Sequence, residues 1–313
     1  MLDKQIQQVL EAARANGAPD LCDVPLPVAR EIYRQIMGGA GAPPAGVDTR
    51  DIAAAGGVPA LRVYTPPGAQ AAPVVLWTHG GGCVVGGLDE YDVVVKQLAV
   101  DARAVVVSVA YRLAPEHPFP AAFDDAWAAL KWVASPEGAR ALGTVADTGR
   151  LALAGDSAGA LLAITTALRA RDEGGPGLRS LALAYPLAAG GHGDYPSHTA
   201  HAAGPTLTKR TMDWCSHHFF GDAGRAPDHR GAPLLADDLS RLPRTLLMLA
   251  ALDPLRDEGL ALGARLNDSG VLVSVIECHG LPHGFLSQGG FSAAARAAQR
   301  QLGRALGDAL HEA

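Results

Sequence analysis

Gly155-Asp156-Ser157-Ala158-Gly159 lies between an apolar run, Arg150 to Ala154, and a helix-like stretch, Ala160 to Arg171. The order is strand, sharp turn and helix, with a serine at the apex. So tight a turn forces its apical residue into strained φ/ψ and leaves no room for side chains two positions away, where the glycines stand. It would expose Ser157 Oγ as a nucleophile, with the N–H groups and positive dipole end of the next helix directed at any anion formed beside it. Taken alone, the pentad also reads as an ordinary Gly-Ser turn. The surrounding chain decides between the two.

Upstream, short β-rich runs, Val47 to Ala54, Ala60 to Thr65 and Val74 to Thr78, are broken by Gly-Gly and Pro-Pro-Gly and read as two hairpin strands followed by a buried one. Helical and strand patterns then alternate: Tyr91 to Val100 and Ala104 to Val109, Ala121 to Ala134 and Leu151 to Ala154, Ala158 to Arg171 and Ser180 to Tyr185. This alternation predicts right-handed crossovers and a mostly parallel sheet of eight strands with helices on both faces. It stops at Leu187 and resumes at Arg244 to Leu252, with a helix from Pro254 to Asn267, a strand Val271 to Cys278 and a helix Ser292 to Leu310. The interrupting segment holds one helical stretch, Lys209 to Phe219. It follows the sixth strand, on the edge where doubly wound sheets bind ligands, and is expected to act as a lid. An amphipathic helix opens the chain, with Asp3 as its candidate N-cap and Gly17 as its stop, and a second helical stretch runs from about Val28 to Met37; a Gly/Ala/Pro-rich linker follows. The expected division is a catalytic core of residues 46–187 and 231–313 and a helical cap of residues 1–45 and 188–230.

The chain has 313 residues, 48% hydrophobic and 19% charged, enough for one large core. Net charge is −6, from 26 basic and 32 acidic residues without a Lys/Arg cluster, which argues against nucleic acid and anionic membranes as partners. Cys22, Cys83, Cys215 and Cys278 are far apart and suggest neither a zinc site nor a disulfide framework, so a reducing cytoplasm fits best. No signal peptide or membrane-spanning run is evident.

The strand Val74 to Thr78 ends in His79-Gly80-Gly81-Gly82, a glycine run that leaves N–H groups able to face a ligand. No Gly-Lys-Ser/Thr follows, so acyl transfer is favoured over nucleotide binding. A serine nucleophile needs an acid and then a histidine on loops after later strands. Asp253 meets the first requirement, although Asp-Pro-Leu-Arg-Asp-Glu also looks like a capped helix start. His279 and His283 both follow the last strand, and spacing does not choose between them. Six of the eleven histidines lie from His192 to His229; His198-x-x-His201 lacks a third ligand at useful spacing, so no metal is expected.

His79 to Gly82, Tyr111-Arg112-Leu113-Ala114-Pro115-Glu116-His117-Pro118-Phe119-Pro120-Ala121-Ala122, Gly155 to Gly159, Asp253 to Glu258 and His283-Gly284-Phe285 together resemble the bacterial hormone-sensitive-lipase-like esterases of the α/β-hydrolase superfamily. The resemblance runs from about residue 45 to the C-terminus. It implies Ser157 as nucleophile, His283 as base, Asp253 as the orienting carboxylate, and no cofactor. It also implies an oxyanion hole from the N–H groups of Gly81, Gly82 and Ala158, with Gly80 required for the turn. Two positions depart from the family pattern: Cys83 stands where a bulky aromatic is common, and Ala110 where Asp is usual. An apolar pocket for a small ester is expected from Cys83, Val84, Leu207, Trp214, Phe219, Leu281 and Phe285, and a homodimer through the last strand and C-terminal helix. The alternatives are a non-catalytic small-molecule receptor on the same fold, against which the intact Ser157, Asp253 and His283 speak, and an amidase, arylformamidase or transacylase using the same three residues.

Overall fold

The computed structural model describes residues 1–312. In chain order the elements are α1 (Lys4–Ala15), α2 (Leu26–Met37), β1 (Asp48–Ile52), β2 (Leu61–Thr65), β3 (Ala72–Thr78), α3 (Asp92–Ala102), β4 (Val105–Val109), α4 (Ala121–Val133) and α5 (Pro136–Leu142). They continue with β5 (Ala146–Asp156), α6 (Ala158–Asp172), β6 (Ser180–Ala184), α7 (Pro196–Ala200), α8 (Lys209–Phe220), β7 (Arg244–Leu252), α9 (Arg256–Asp268), β8 (Val273–Pro282) and α10 (Ala293–His311). The eight strands form one sheet in the order β1-β2-β4-β3-β5-β6-β7-β8, in which β2 runs antiparallel to both neighbours and every later pairing is parallel.

Strand side chains alternate between faces, so each central strand feeds two cores. Val74, Leu76, Leu151 and Leu153 pack with Phe123 and Leu130 of α4 and Leu161 and Leu168 of α6. Val75, Trp77, Ala152 and Ala154 pack on the other side with Val95 and Leu98 of α3 and Leu302 and Leu306 of α10. Burying a Val or Leu side chain contributes about 1.5–3 kcal/mol, and residues of this kind account for most of the first cluster, whereas in the second they are matched by small alanines that let α3 and α10 approach the sheet.

All eight expected strands and the longer helices form. Asp3 caps α1, accepting from Gln5 N–H and Ile6 N–H. Four details differ from expectation. The last strand runs to Pro282 rather than Cys278, so His279 lies on it and only His283 follows it. The fifth strand begins at Ala146 rather than Leu151, because Ala146 and Asp147 pair with Ala72 and Pro73 before the register shifts at Pro73, which has no N–H for the ladder. Two short helices, α5 and α7, are too brief to show a period. The helix expected from Pro254 starts at Arg256, because Asp253, Pro254 and Leu255 form a turn in which Asp253 Oδ1 accepts from Leu255 N–H at 2.9 Å.

Candidate active site

Ser157 stands between β5 and α6 with φ +54° and ψ −122°, a strained conformation for a residue with a side chain. The turn closes because neighbouring residues are glycine: a Cβ on Gly155 would come within 2.6 Å of Gly159, and one on Gly159 would collide with the carbonyls of Thr78 and His79. That contact also brings the end of β3, and so the glycine run, beside the serine. Gly81 has φ +104°, and a Cβ there would strike the Val85 carbonyl.

Parallel neighbours β7 and β8 deliver the other two groups. Their C-terminal ends lie at the same edge of the sheet as the turn after β5. His283 Nε2 is 2.9 Å from Ser157 Oγ, and His283 Nδ1 is 2.7 Å from Asp253 Oδ2. Asp253 is fully buried, with its second oxygen on the Leu255 N–H, so one carboxylate serves both the helix-start turn and the imidazole. His279 is exposed on β8 and lines a cleft of about 430 Å³ with Met1, His201 and Glu277. Geometry therefore pairs His283, not His279, with the serine.

On the glycine run, Gly80 N–H donates to Asp156 Oδ1 at 2.7 Å, so Gly80 anchors the loop instead of facing a ligand. Among the described residues no protein acceptor meets the N–H of Gly81, Gly82 or Ala158. His79 is buried and stacks on Tyr111 with ring centroids 4.2 Å apart; burial lowers its pKa to about 4, leaving it neutral. Its Nδ1 lies 2.7 Å from the Gly80 carbonyl, and Tyr111 donates to the His79 carbonyl at 2.6 Å.

The residues expected to line a pocket fall into two groups. Cys83, Val84 and Phe219 belong to the core cluster on the α4–α6 side, with Trp214 packed against it. Leu281 and Phe285 belong to the cluster on the α10 side, where Phe285 meets Tyr185 edge-on at 5.0 Å behind the His283 ring. Leu207 is half-buried. Cys83 is fully buried with φ +58°, in the same core cluster as Tyr111. The side chain that covers Gly82 is Cys215 of α8, whose Sγ would lie against any Cβ placed there. Sequence reasoning missed Cys215, since only the folded insertion brings α8 over the loop. It also missed Glu258, buried at the start of α9, whose Oε2 accepts from the N–H groups of Ala188 and Ala189 and ties down the entry to the insertion. His198 Nε2 faces the same carboxylate at 3.4 Å.

Comparison with known proteins gives the family. The family whose profile matches residues 75–287 is described as alpha/beta hydrolase fold. The esterase LipI of Mycobacterium tuberculosis is 44% identical over 254 residues, covering 80% of this chain and 78% of that protein. The ethyl acetate hydrolase of Pseudomonas putida is 36% identical over 235 residues, covering 73% of this chain and 72% of that protein. The crystal structure of a thermostable esterase from Pseudomonas putida superposes with a TM-score of 0.92 at 32% identity, covering 100% of this chain and 98% of the other. With the motifs in order along the chain and relatives this similar over most of its length, the protein belongs to the hormone-sensitive-lipase-like carboxylesterases of the α/β-hydrolase superfamily.

Proposed function

We propose that this protein hydrolyses short- to medium-chain carboxylic esters, with Ser157 as nucleophile, His283 as general base and then acid, and Asp253 orienting the imidazole. The observation that carries this reading is the hydrogen-bond chain from Ser157 Oγ through His283 to Asp253, at 2.9 and 2.7 Å. With Nδ1–H donating to Asp253, Nε2 is left to take the serine proton. Ser157 Oγ then bonds to the ester carbonyl carbon, and the carbonyl oxygen gains the charge that the N–H groups of Gly81, Gly82 and Ala158 would hold. Collapse of the tetrahedral intermediate breaks the bond to the alcohol oxygen, which leaves with the proton from His283. Water, deprotonated by His283, attacks the acyl-enzyme in the same way; the acid departs and the proton returns to Ser157.

In the same reading, residues 1–45 and 188–230 cap a core formed by residues 46–187 and 231–313. Supporting it, Thr208 donates to Asp20 at 2.7 Å, Arg210 pairs with Asp23, and Thr206 donates to the His283 carbonyl at 2.7 Å. Leu207, Trp214 and Cys215 would form the apolar wall of the acyl site. Dimerisation through β8 is part of the proposal, supported by Leu272 and Val275, exposed beside and on that edge strand. The four free cysteines suit a reducing cytoplasm. Among the described residues no helix is long and apolar enough to cross a membrane.

Hydrolysis of p-nitrophenyl esters from acetate to palmitate tests the reading. Ser157→Ala and His283→Ala should each lower kcat by about 10⁴-fold or more, with the double variant little worse. His279→Ala should retain most activity; a larger loss there than at His283 would assign the base wrongly.

A further inference from the structure

The segment Gly80–Val84 is gripped at both ends by groups traceable to α2. At one end, Gly80 N–H donates to Asp156 Oδ1 at 2.7 Å. Asp156 Oδ2 accepts from the Tyr91 hydroxyl at 2.9 Å, and the Tyr185 hydroxyl stands 3.4 Å away. The Tyr91 proton being committed to the carboxylate, the Tyr33 hydroxyl of α2, 2.8 Å away, donates to the Tyr91 oxygen. At the other end Arg30, one turn earlier on α2, donates to the Val84 and Ala114 carbonyls at 3.0 and 3.1 Å and forms a bidentate pair with Glu116.

We propose that Tyr33, Tyr91 and Asp156 are positioning residues through which α2 sets the oxyanion-binding loop, with the ionised Asp156 carboxylate as the titratable link. This rests on the esterase reading above. Asp156 is buried, and that burial pushes its carboxyl up to about 6 even though Tyr91, Gly80 and the nearby His283 favour the charged form. The groups facing it are Tyr33 from α2, Tyr91 at the start of α3, Tyr111 after β4, Tyr185 after β6 and His283 after β8. Burial holds all four tyrosines above their ordinary value, so they stay neutral throughout the range in which Asp156 titrates. Protonated Asp156 has to donate from Oδ2, which forces the Tyr91 hydroxyl to accept and reduces the Gly80 contact from a charge-assisted to a neutral hydrogen bond. The loop is then held less firmly.

Asp156→Asn imitates the protonated form, because Oδ1 still accepts from Gly80 while Nδ2 donates to Tyr91. At pH 8 it should lower kcat by about 10- to 100-fold with KM within about twofold, since the oxyanion exists only in the transition state. The ratio of wild-type to variant kcat/KM should shrink toward one as pH falls from about 7 to about 5. Tyr33→Phe removes one hydroxyl from a half-buried ring. It should cost a few-fold in kcat and move the wild-type step to higher pH, and it carries the test if the asparagine variant does not fold. A ratio constant across this range, or losses confined to KM, would overturn the inference while leaving the esterase reading intact. A wild-type enzyme that neither cleaves p-nitrophenyl esters nor is labelled at Ser157 by an organophosphate would overturn both.

Discussion

Asp253 divides its two oxygens between the Leu255 N–H and His283 Nδ1, and the two bonds can be separated experimentally. Asp253→Asn keeps Oδ1 for the turn but turns an N–H₂ toward the imidazole, which favours the wrong tautomer. We expect kcat to fall by about 10⁴-fold and the melting temperature to change by only a few degrees. Near-normal turnover with a large loss of melting temperature would make Asp253 structural, and circular dichroism melts run beside the kinetics distinguish the outcomes. At this scale Ser157, Gly80–Gly82 and Asp253 were legible in the sequence, because a strained elbow, a glycine run and a carboxylate after a late strand each leave a local signature. Spacing left His279 and His283 open until the motif resemblance chose. Cys215, Glu258 and the Tyr33–Tyr91–Asp156 chain left no such trace, because each acts on a segment distant in sequence and their adjacency exists only after folding.

In the proposed acyl site, the element that would set substrate size is α8. It lays Cys215 on Gly82, with Trp214 beside it, whereas the thiol of Cys83 lies in the core. Each CH₂ buried is worth about 0.8 kcal/mol, so kcat/KM should rise about fourfold per CH₂ from acetyl to roughly butyryl or hexanoyl, then fall. Cys215→Phe should move that optimum to shorter chains while acetate is still hydrolysed. Cys83→Phe should instead lower the melting temperature, because a full core has to absorb the ring. A chain-length profile unchanged in the Cys215 variant would place the acyl site elsewhere. Strands and long helices were readable from periodicity. The insertion was readable as an interruption, but its α7 and its course over the loop were not, since five residues carry no period and Gly/His/Pro-rich loops take their path from tertiary contacts.

For the whole molecule, the sheet's β8 edge carries the proposed dimer contact. Val275→Lys should convert a dimer to monomer by sedimentation velocity with triad kinetics nearly unchanged, since Val275 lies early in β8, away from His283. A monomeric wild type would remove the contact. Ser157 and His283, the proposed nucleophile and base, stand 126 residues apart, and His283 follows the strand that completes the sheet. Hydrolytic competence should therefore require the segment after β8 to be docked as well as β5: a refolding chain that has acquired its central strands and buried Trp77 without β8 is expected to be inert. In stopped-flow refolding, ester cleavage should return no earlier than the tryptophan signal, and a chain ending before Val273 should stay inactive. Cleavage of an ester would in this way report that the sheet is assembled through its last strand.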